Sequence, residues 1–303
     1  MRLCILIGLL FSSAWPAVAS DGLATRFPAA QRIVSFGDVH GDLQAARAVL
    51  KLAGAIDERD CWIGGNLVVV QTGDQLDRGN DELQILELFA QLAVEAKAAG
   101  GAFHVLNGNH EFMNAIGDFR YVTPDGFADF ADLIPMPRGD SFYSTHPMEQ
   151  RSRLAGMCPG GPYASLLAQR NTVVIVGDNV FAHGGILPQH VAYGLERLNN
   201  EIRAWLKNEG PRPVMISKTD SPTWTRRLSL NTGEQDCLDL SQALSQLGVK
   251  RLIVGHTVQK TGITSACNDQ VWRVDVGMAR HYGGPIQALE ICGDRLRILE
   301  AQQ

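Results

Sequence analysis

Three apolar runs, "RIVSFGD", "NLVVVQTGD" and "FHVLNGN", each end abruptly in a glycine followed by Asp or Asn, and helix-like segments separate them. Short runs rich in β-branched residues are what strands buried on both faces look like. Between them, "AARAVLKLAGAI" and "DELQILELFAQLAVEAKAAG" space Ala and Leu at helical intervals, and the second opens with acidic residues and stops at a glycine pair. This alternation predicts parallel βαβ units. The later half changes character: "TVVIVGD" and "NVFAHGG" read as neighbouring strands, "LERLNNEIRAWL" as a helix, and "RLIVGHT", "VWRVDVGM", "IQALEI" and "LRILE" as strands with short turns. The pattern implies an α/β chain with a mixed sheet or two packed sheets covered by helices. No repeat or linker divides it, so one domain is expected. The segment from Phe112 to Ala168 shows few clear periods and is expected to be an insertion, either a lid or a surface excursion.

The 303 residues are 45% hydrophobic, enough for one large core, and the formal net charge of -5 argues against a nucleic-acid partner. The opening "MRLCILIGLLFSSAWPAVAS" has one cation at Arg2, a short apolar run and small residues at Ala17 and Ala19, the order of a secretory signal peptide. Removal of residues 1–19 is expected, with an uncleaved anchor as the alternative. Residues 20–303 would then be exported, periplasmic or secreted, and free of the membrane. Cys61, Cys158, Cys237, Cys267 and Cys292 would remain, an odd number with no CxxC motif. One disulfide among otherwise inert thiols is favoured over a nucleophile or a zinc-thiolate site.

Polar residues at the carboxyl ends of parallel strands converge on one edge of a sheet, where open α/β folds bind ligands. Singly, a Gly-Asp pair is an ordinary turn and a lone His an ordinary structural residue. Jointly, Asp38, His40, Asp74, Asn109, His183 and His256 form a set of oxygen and imidazole donors just past apolar runs. So many donors suit two divalent ions rather than one, and the lack of a thiolate leaves manganese, iron or zinc acceptable, with manganese preferred. Asp38 and His40 would serve one ion, Asn109, His183 and His256 the other, with Asp74 bridging. Two such ions acidify a shared water and clamp phosphoryl oxygens, so phosphate-ester hydrolysis is the matching chemistry. Adjacent residues point in different directions, so His110 can face a substrate as general acid while Asn109 faces a metal. Gly108 is expected to let the backbone turn sharply enough to present both.

The ordered set "GDVHG", "GDQLDRG", "GNHE", "HGG" and "GHT" resembles the metallophosphoesterases, and its "DRG" and "NHE" forms look like the PPP-type protein phosphatases. Longer stretches, including "WIGGNLVVVQTGDQLDRGNDE", "GNHEFMNAIGDFRYV", "HGGILPQHVAYGLERLN" and "SPTWTRR", are similar to the Shewanella-like branch, and the likeness runs from Arg32 to Leu299. The resemblance implies an α/β/β/α sandwich of two mixed β-sheets flanked by helices, and a metal-dependent enzyme acting on a phosphorylated protein or peptide. It implies the same six ligands, His110 as the acid that protonates the leaving group, Asp77 as its orienting partner, and Arg78 and Arg226 as phosphate-binding residues. Asp42 and Glu111 lie beside ligands and are expected to support them. Val39 and Asn107 stand where eukaryotic relatives carry Ile and Arg, and the "SAPNY" segment is missing, which leaves open a phosphoserine, phosphothreonine or phosphotyrosine preference. A nucleotide or dinucleoside polyphosphate hydrolase and a non-catalytic, metal-dependent phosphoprotein-binding module are the alternatives. Nothing in the sequence sets an oligomeric state.

Overall fold

The computed structural model describes residues 23–131 and 141–301. The expected signal peptide, residues 1–19, and residues 132–140 of the expected insertion lie outside them. The first half supplies β1 (Arg26–Phe27), β2 (Ile33–Phe36), α1 (Leu43–Leu52), β3 (Val68–Gln71), α2 (Glu82–Ala98), β4 (Ala102–Val105) and α3 (Asn109–Ala115). Short helices follow: α4 (Pro124–Ala131), α5 (Ser141–Ser144), α6 (Met148–Met157) and α7 (Pro162–Leu167). The second half supplies β5 (Val173–Val176), β6 (Asn179–Ala182), α8 (Pro188–Tyr193), α9 (Leu195–Leu206), α10 (Glu234–Leu247) and β7 (Arg251–Val254). It ends with β8 (Thr264–Ala266), β9 (Val271–Arg273), β10 (Gln287–Cys292) and β11 (Arg295–Glu300).

Two mixed sheets result, one in the order β11-β10-β2-β3-β4 and the other β1-β5-β6-β7-β9-β8. The neighbours β2, β3 and β4 are parallel, as the βαβ pattern predicts, and β6, β7 and β9 are parallel in the second sheet. Period-two alternation assigns each face. Val174, Val176, Phe181 and Ile253 join the core shared with Ile33, Val70 and Leu289 of the first sheet, whose Val34 and Phe36 face the other way, whereas Val173, Ile175, Val180 and Val254 pack with Leu198, Ile202, Leu240 and Leu244 of α9 and α10. On the far side of the first sheet, α1 and α2 contribute Ala46, Val49, Leu50, Ile85 and Phe89. The layering is the helix–sheet–sheet–helix sandwich that the resemblance implies.

The segment of faint periodicity contains α4 to α7, helices of 8, 4, 10 and 6 residues, too short for an apolar face to repeat over many turns. Among the described residues one disulfide, Cys237–Cys267, ties α10 to the turn between β8 and β9.

Candidate metal centre

The strands β2, β3, β4, β6 and β7 deliver their carboxyl ends to one edge, and all six expected donors meet there, each at most 7% exposed. Three histidines are oriented by main-chain carbonyls. His40 Nδ1–H donates to Leu76 O at 2.9 Å, His183 Nδ1–H to Thr72 O at 3.1 Å and His256 Nε2–H to Trp224 O at 3.2 Å. A carbonyl only accepts, so these bonds fix the tautomer and leave the opposite nitrogen of each ring with a lone pair. Those nitrogens turn toward oxygen acceptors. His183 Nε2 lies 2.9 Å from Asn109 Oδ1, 3.1 Å from His256 Nδ1 and 3.1 Å from Asp74 Oδ2. His40 Nε2 lies 3.8 Å from Asp38 Oδ2 and 3.9 Å from Asp74 Oδ2.

Lone pairs facing one another across such distances repel unless a cation lies among them. The carboxylates make the same point. Burial, then Asp275 and Asp74, push Asp38 well above the usual carboxylate range, and burial raises Asp275 to about 6. Burial also works against an ionised Asp74, but His183, His110 and His40 outweigh it and hold this residue well below that range. Burial lowers His40 to about 4, and burial, His183 and Arg226 drive His256 well below the ordinary histidine value, so both rings are neutral, as ligation requires. The donor set therefore fits divalent cations, and Asp74 belongs to two groups of three that could hold one, His40 with Asp74 and His110, and Asp74 with His183 and His256.

One of those groups, His40, Asp74 and His110, includes the residue expected to be the acid. His110 Nε2 stands 3.7 Å from Asp74 Oδ2, while its Nδ1 bonds Asp77 Oδ2 at 2.5 Å. Burial opposes its charge, yet Asp74 and then Asp77 raise its pKa to about 9. A protonated ring donates rather than ligates.

The support beneath these residues is backbone and carboxylate. Glu111 accepts from the N–H groups of Asp74, Gln75 and Gly108 at 3.0, 2.9 and 2.6 Å, pinning the loop after β3 to the start of α3. Asp42 caps α1 through Ala45 N–H and accepts from Arg280 N–H at 2.7 Å. Gly108 differs from expectation. Its φ is -95°, ordinary extended backbone, and glycine is needed because a Cβ there would overlap Asp74 Oδ1.

The two arginines flank the cluster. Arg226 is exposed, and its Nη1 is anchored on His256 O and Thr257 Oγ1, both at 2.8 Å, leaving the rest of the fork outward. Arg78 lies with its guanidinium 4.2 Å from the Tyr121 ring centre and 5.7 Å from that of Tyr282. Those rings in turn stand 5.2 Å from His110 and 5.5 Å from His40. The sequence pattern assigns no role to either tyrosine or to Asp275: Tyr121 lies inside the stretch "GNHEFMNAIGDFRYV", Tyr282 is a single tyrosine in an irregular stretch, and Asp275 sits in "VDVGM", which reads as strand. His190, without a motif, is structural, taking Leu187 N–H and donating to Asp220 O.

Residues 31–260 match the family model described as calcineurin-like phosphoesterase. The chain is 42% identical over 301 residues to Shewanella-like protein phosphatase 2 of Arabidopsis thaliana, spanning 88% of this chain and 76% of that one. It is 29% identical over 266 residues to Shewanella-like protein phosphatase 1 of Plasmodium berghei, spanning 84% and 69%. A solved cold-active protein-tyrosine phosphatase of a psychrophilic Shewanella superposes with a TM-score of 0.74 at 26% identity, covering 91% of this chain and 80% of that one. With its donors gathered at the edge where the matched motifs end, the chain belongs to the calcineurin-like phosphoesterase family, in its Shewanella-like protein phosphatase branch.

Proposed function

We propose that this phosphatase hydrolyses phosphomonoesters on protein or peptide substrates at a two-cation centre, with Asp38 and His40 holding one ion, Asn109, His183 and His256 the other, and Asp74 shared. The observation that carries the reading is the orientation of the three rings, each tied by one nitrogen to a carbonyl and presenting the other to the carboxylate cluster. Manganese is the proposed metal, since oxygen and imidazole donors without thiolate suit it, and iron and zinc also accept them. When bound, the ions acidify an attacking water and neutralise charge on the phosphoryl oxygens.

The chain's own residues do the remainder. Arg226 and Arg78 offer guanidinium donors to the non-bridging oxygens from two sides, a task that the planar fork performs better than an ammonium. His110 Nε2–H gives its proton to the ester oxygen as the P–O bond breaks and the electron pair leaves with that oxygen. Asp77 holds the ring and balances its charge. The similar Shewanella structure is that of a protein-tyrosine phosphatase, and Tyr121 and Tyr282 beside Arg78 would pack against an aryl leaving group, which supports phosphotyrosine among the substrates. The signal-like leader and the Cys237–Cys267 disulfide support export to an oxidising compartment.

Metal analysis of the purified protein, run beside turnover on phosphoserine, phosphothreonine and phosphotyrosine peptides and on nucleotides, tests this reading. Two ions per chain with preference for phosphopeptides is the expected result. Faster turnover of nucleotides or dinucleoside polyphosphates overturns the substrate class. Retention of phosphopeptides without hydrolysis of para-nitrophenyl phosphate at saturating manganese overturns the enzyme.

A further inference from the structure

Arg153, on α6, is among the largest side chains fully withdrawn from solvent. An arginine is rarely left there without partners, because its desolvation is costly and an apolar residue of similar volume is often no worse for stability. Here nearly every donor is used. Nε bonds Asn114 Oδ1 at 2.8 Å, Nη1 bonds Glu82 and Gly126 O, and Nη2 bonds Glu82 Oε1 at 2.9 Å and stands 3.7 Å from Asp77 Oδ1. The rings of Phe130 and Phe119 cover the guanidinium at 4.7 and 5.8 Å and exclude water from the network.

Two of the side chains that Arg153 bonds, Glu82 and Asn114, act on Asp77. Glu82 accepts the Asp77 N–H, and Asn114 Nδ2 donates to Asp77 Oδ1 at 3.0 Å and to His110 O at 2.9 Å. Asp77 needs such restraint, because its backbone sits at φ 69°, a left-handed conformation that a non-glycine residue holds only when its surroundings impose it. Its remaining oxygen, Oδ2, is the one that bonds His110 Nδ1. By way of Asp77, Arg153 thus stands three hydrogen bonds behind the proton donor, and it comes from the helical segment between β4 and β5 rather than from any strand-end motif.

We infer that Arg153 is a positioning residue for the His110–Asp77 pair, gripping Asp77 through Glu82 and Asn114 so that His110 is aimed at the leaving group. By this route, packing of α6 against α2 and α3 governs how well the leaving group is protonated. The inference rests on the reading of His110 as general acid.

A proton donor matters in proportion to the basicity of the leaving group, which separates this role from a merely structural one. The metal-loaded protein is assayed on phenyl phosphate, whose leaving group needs a proton, and on 2,4-dinitrophenyl phosphate, whose leaving group does not. R153K keeps the charge but loses the fork, and R153Q/E82Q removes both charges together, so that neither leaves a lone buried ion if the first variant fails to fold. Both are expected to lose roughly tenfold or more in kcat on phenyl phosphate and to stay within about twofold on the dinitrophenyl ester. His110→Asn should show the same selectivity more steeply. A second readout uses the metal-free, 15N-histidine-labelled protein: the downfield ring proton that Asp77 holds, assigned by its absence in His110→Asn, should shift or broaden in R153K. Equal losses on both esters, or an unchanged rate on phenyl phosphate, with His110→Asn still selective, overturn the inference alone. If His110→Asn is itself unselective, the general-acid reading falls and takes the inference with it.

Discussion

At the end of the sandwich where β2, β3 and β7 stop, His40, Asp74, Asp77, Arg78 and His256 adopt φ of 38, 59, 69, 68 and 68°. At the opposite end, the turns leading into β3, β4 and β7 and the turn between β10 and β11 meet the same demand with Gly65, Gly100, Gly248 and Gly293, around each of which a Cβ would find nothing within 4 Å. A left-handed backbone costs an L-residue about 1–2 kcal/mol. Those four turns avoid that cost with glycine, although the turn into β9 at the same end does not, holding Cys267, Asn268 and Asp269 at φ 54, 54 and 62°. The other end accepts it repeatedly, because the side chain is what the position is for. Asp60, Asn208, Asn231, Cys267, Asn268 and Asp269 share the conformation elsewhere, most of them Asn or Asp in turns, which tolerate it; at the site it falls also on His40, Arg78 and His256, and hydrogen bonds such as those of Glu111 to Asp74 and Gln75 hold the strained loop in place.

If the strained end exists to hold cations, its shared ligand is the first place to break it. Asp74→Ala should lose both ions and lower kcat by at least the 10²–10³-fold that removal of one transition-state electrostatic contact costs. Metal content per chain, measured beside the rate, decides the matter. A variant that keeps two ions refutes the sharing of Asp74. His110→Asn comes next, with an expected loss of roughly 10²–10⁴-fold in turnover at normal metal content. Loss of metal in that variant would mean that His110 ligates, as its place in one of the two candidate groups allows.

The strained end was also the legible one, and for a physical reason. Donors placed one to three residues past a buried strand are positioned by the strand itself, so local pattern alone located Asp38, Asp74, His183 and His256. The parallel pairing of β2, β3 and β4 followed from the same alternation. What stayed hidden depends on distant contacts. Arg153 meets Glu82 across 71 residues of chain, on a helix, "MEQRSRLAGM", whose charged and polar residues run together without an apolar stripe between them. Helix α10 buries only Leu240, Ala243 and Leu244, too few to stand out as a stripe. Tyr121 and Tyr282 gain meaning only when Arg78 lies between them.

The arginines extend the comparison to residues that touch substrate without touching metal. Arg226 is exposed and anchored by a single nitrogen, so its truncation should leave fold and metal content intact. Arg226→Ala is expected to raise KM or lower kcat/KM by about 10–100-fold, the worth of one charge-assisted contact of about 1.5–3 kcal/mol. Arg226→Lys should recover only part of this, since an ammonium lacks the fork. Full activity in Arg226→Ala would return this residue to the solvated surface.

The smallest effects come from glycines at the two ends, and they sharpen the contrast most directly. Gly100 sits at φ 84° with open space around it, so Gly100→Ala should cost only the conformational penalty, about 1 kcal/mol, a fall in Tm of roughly 2–4 °C with kcat unchanged. Gly108 sits at an unstrained φ, so conformation alone predicts that alanine is harmless or mildly stabilising there. Clearance predicts the opposite, because the new methyl would displace Asp74 Oδ1 and with it the hydrogen bond from His110 N–H. Thermal melts and rates on the two alanine variants separate the explanations. Loss of activity at Gly108 and none at Gly100 means that the first is held by the cation cradle and the second only by the turn. Matching behaviour in both assays would erase the distinction between the two ends.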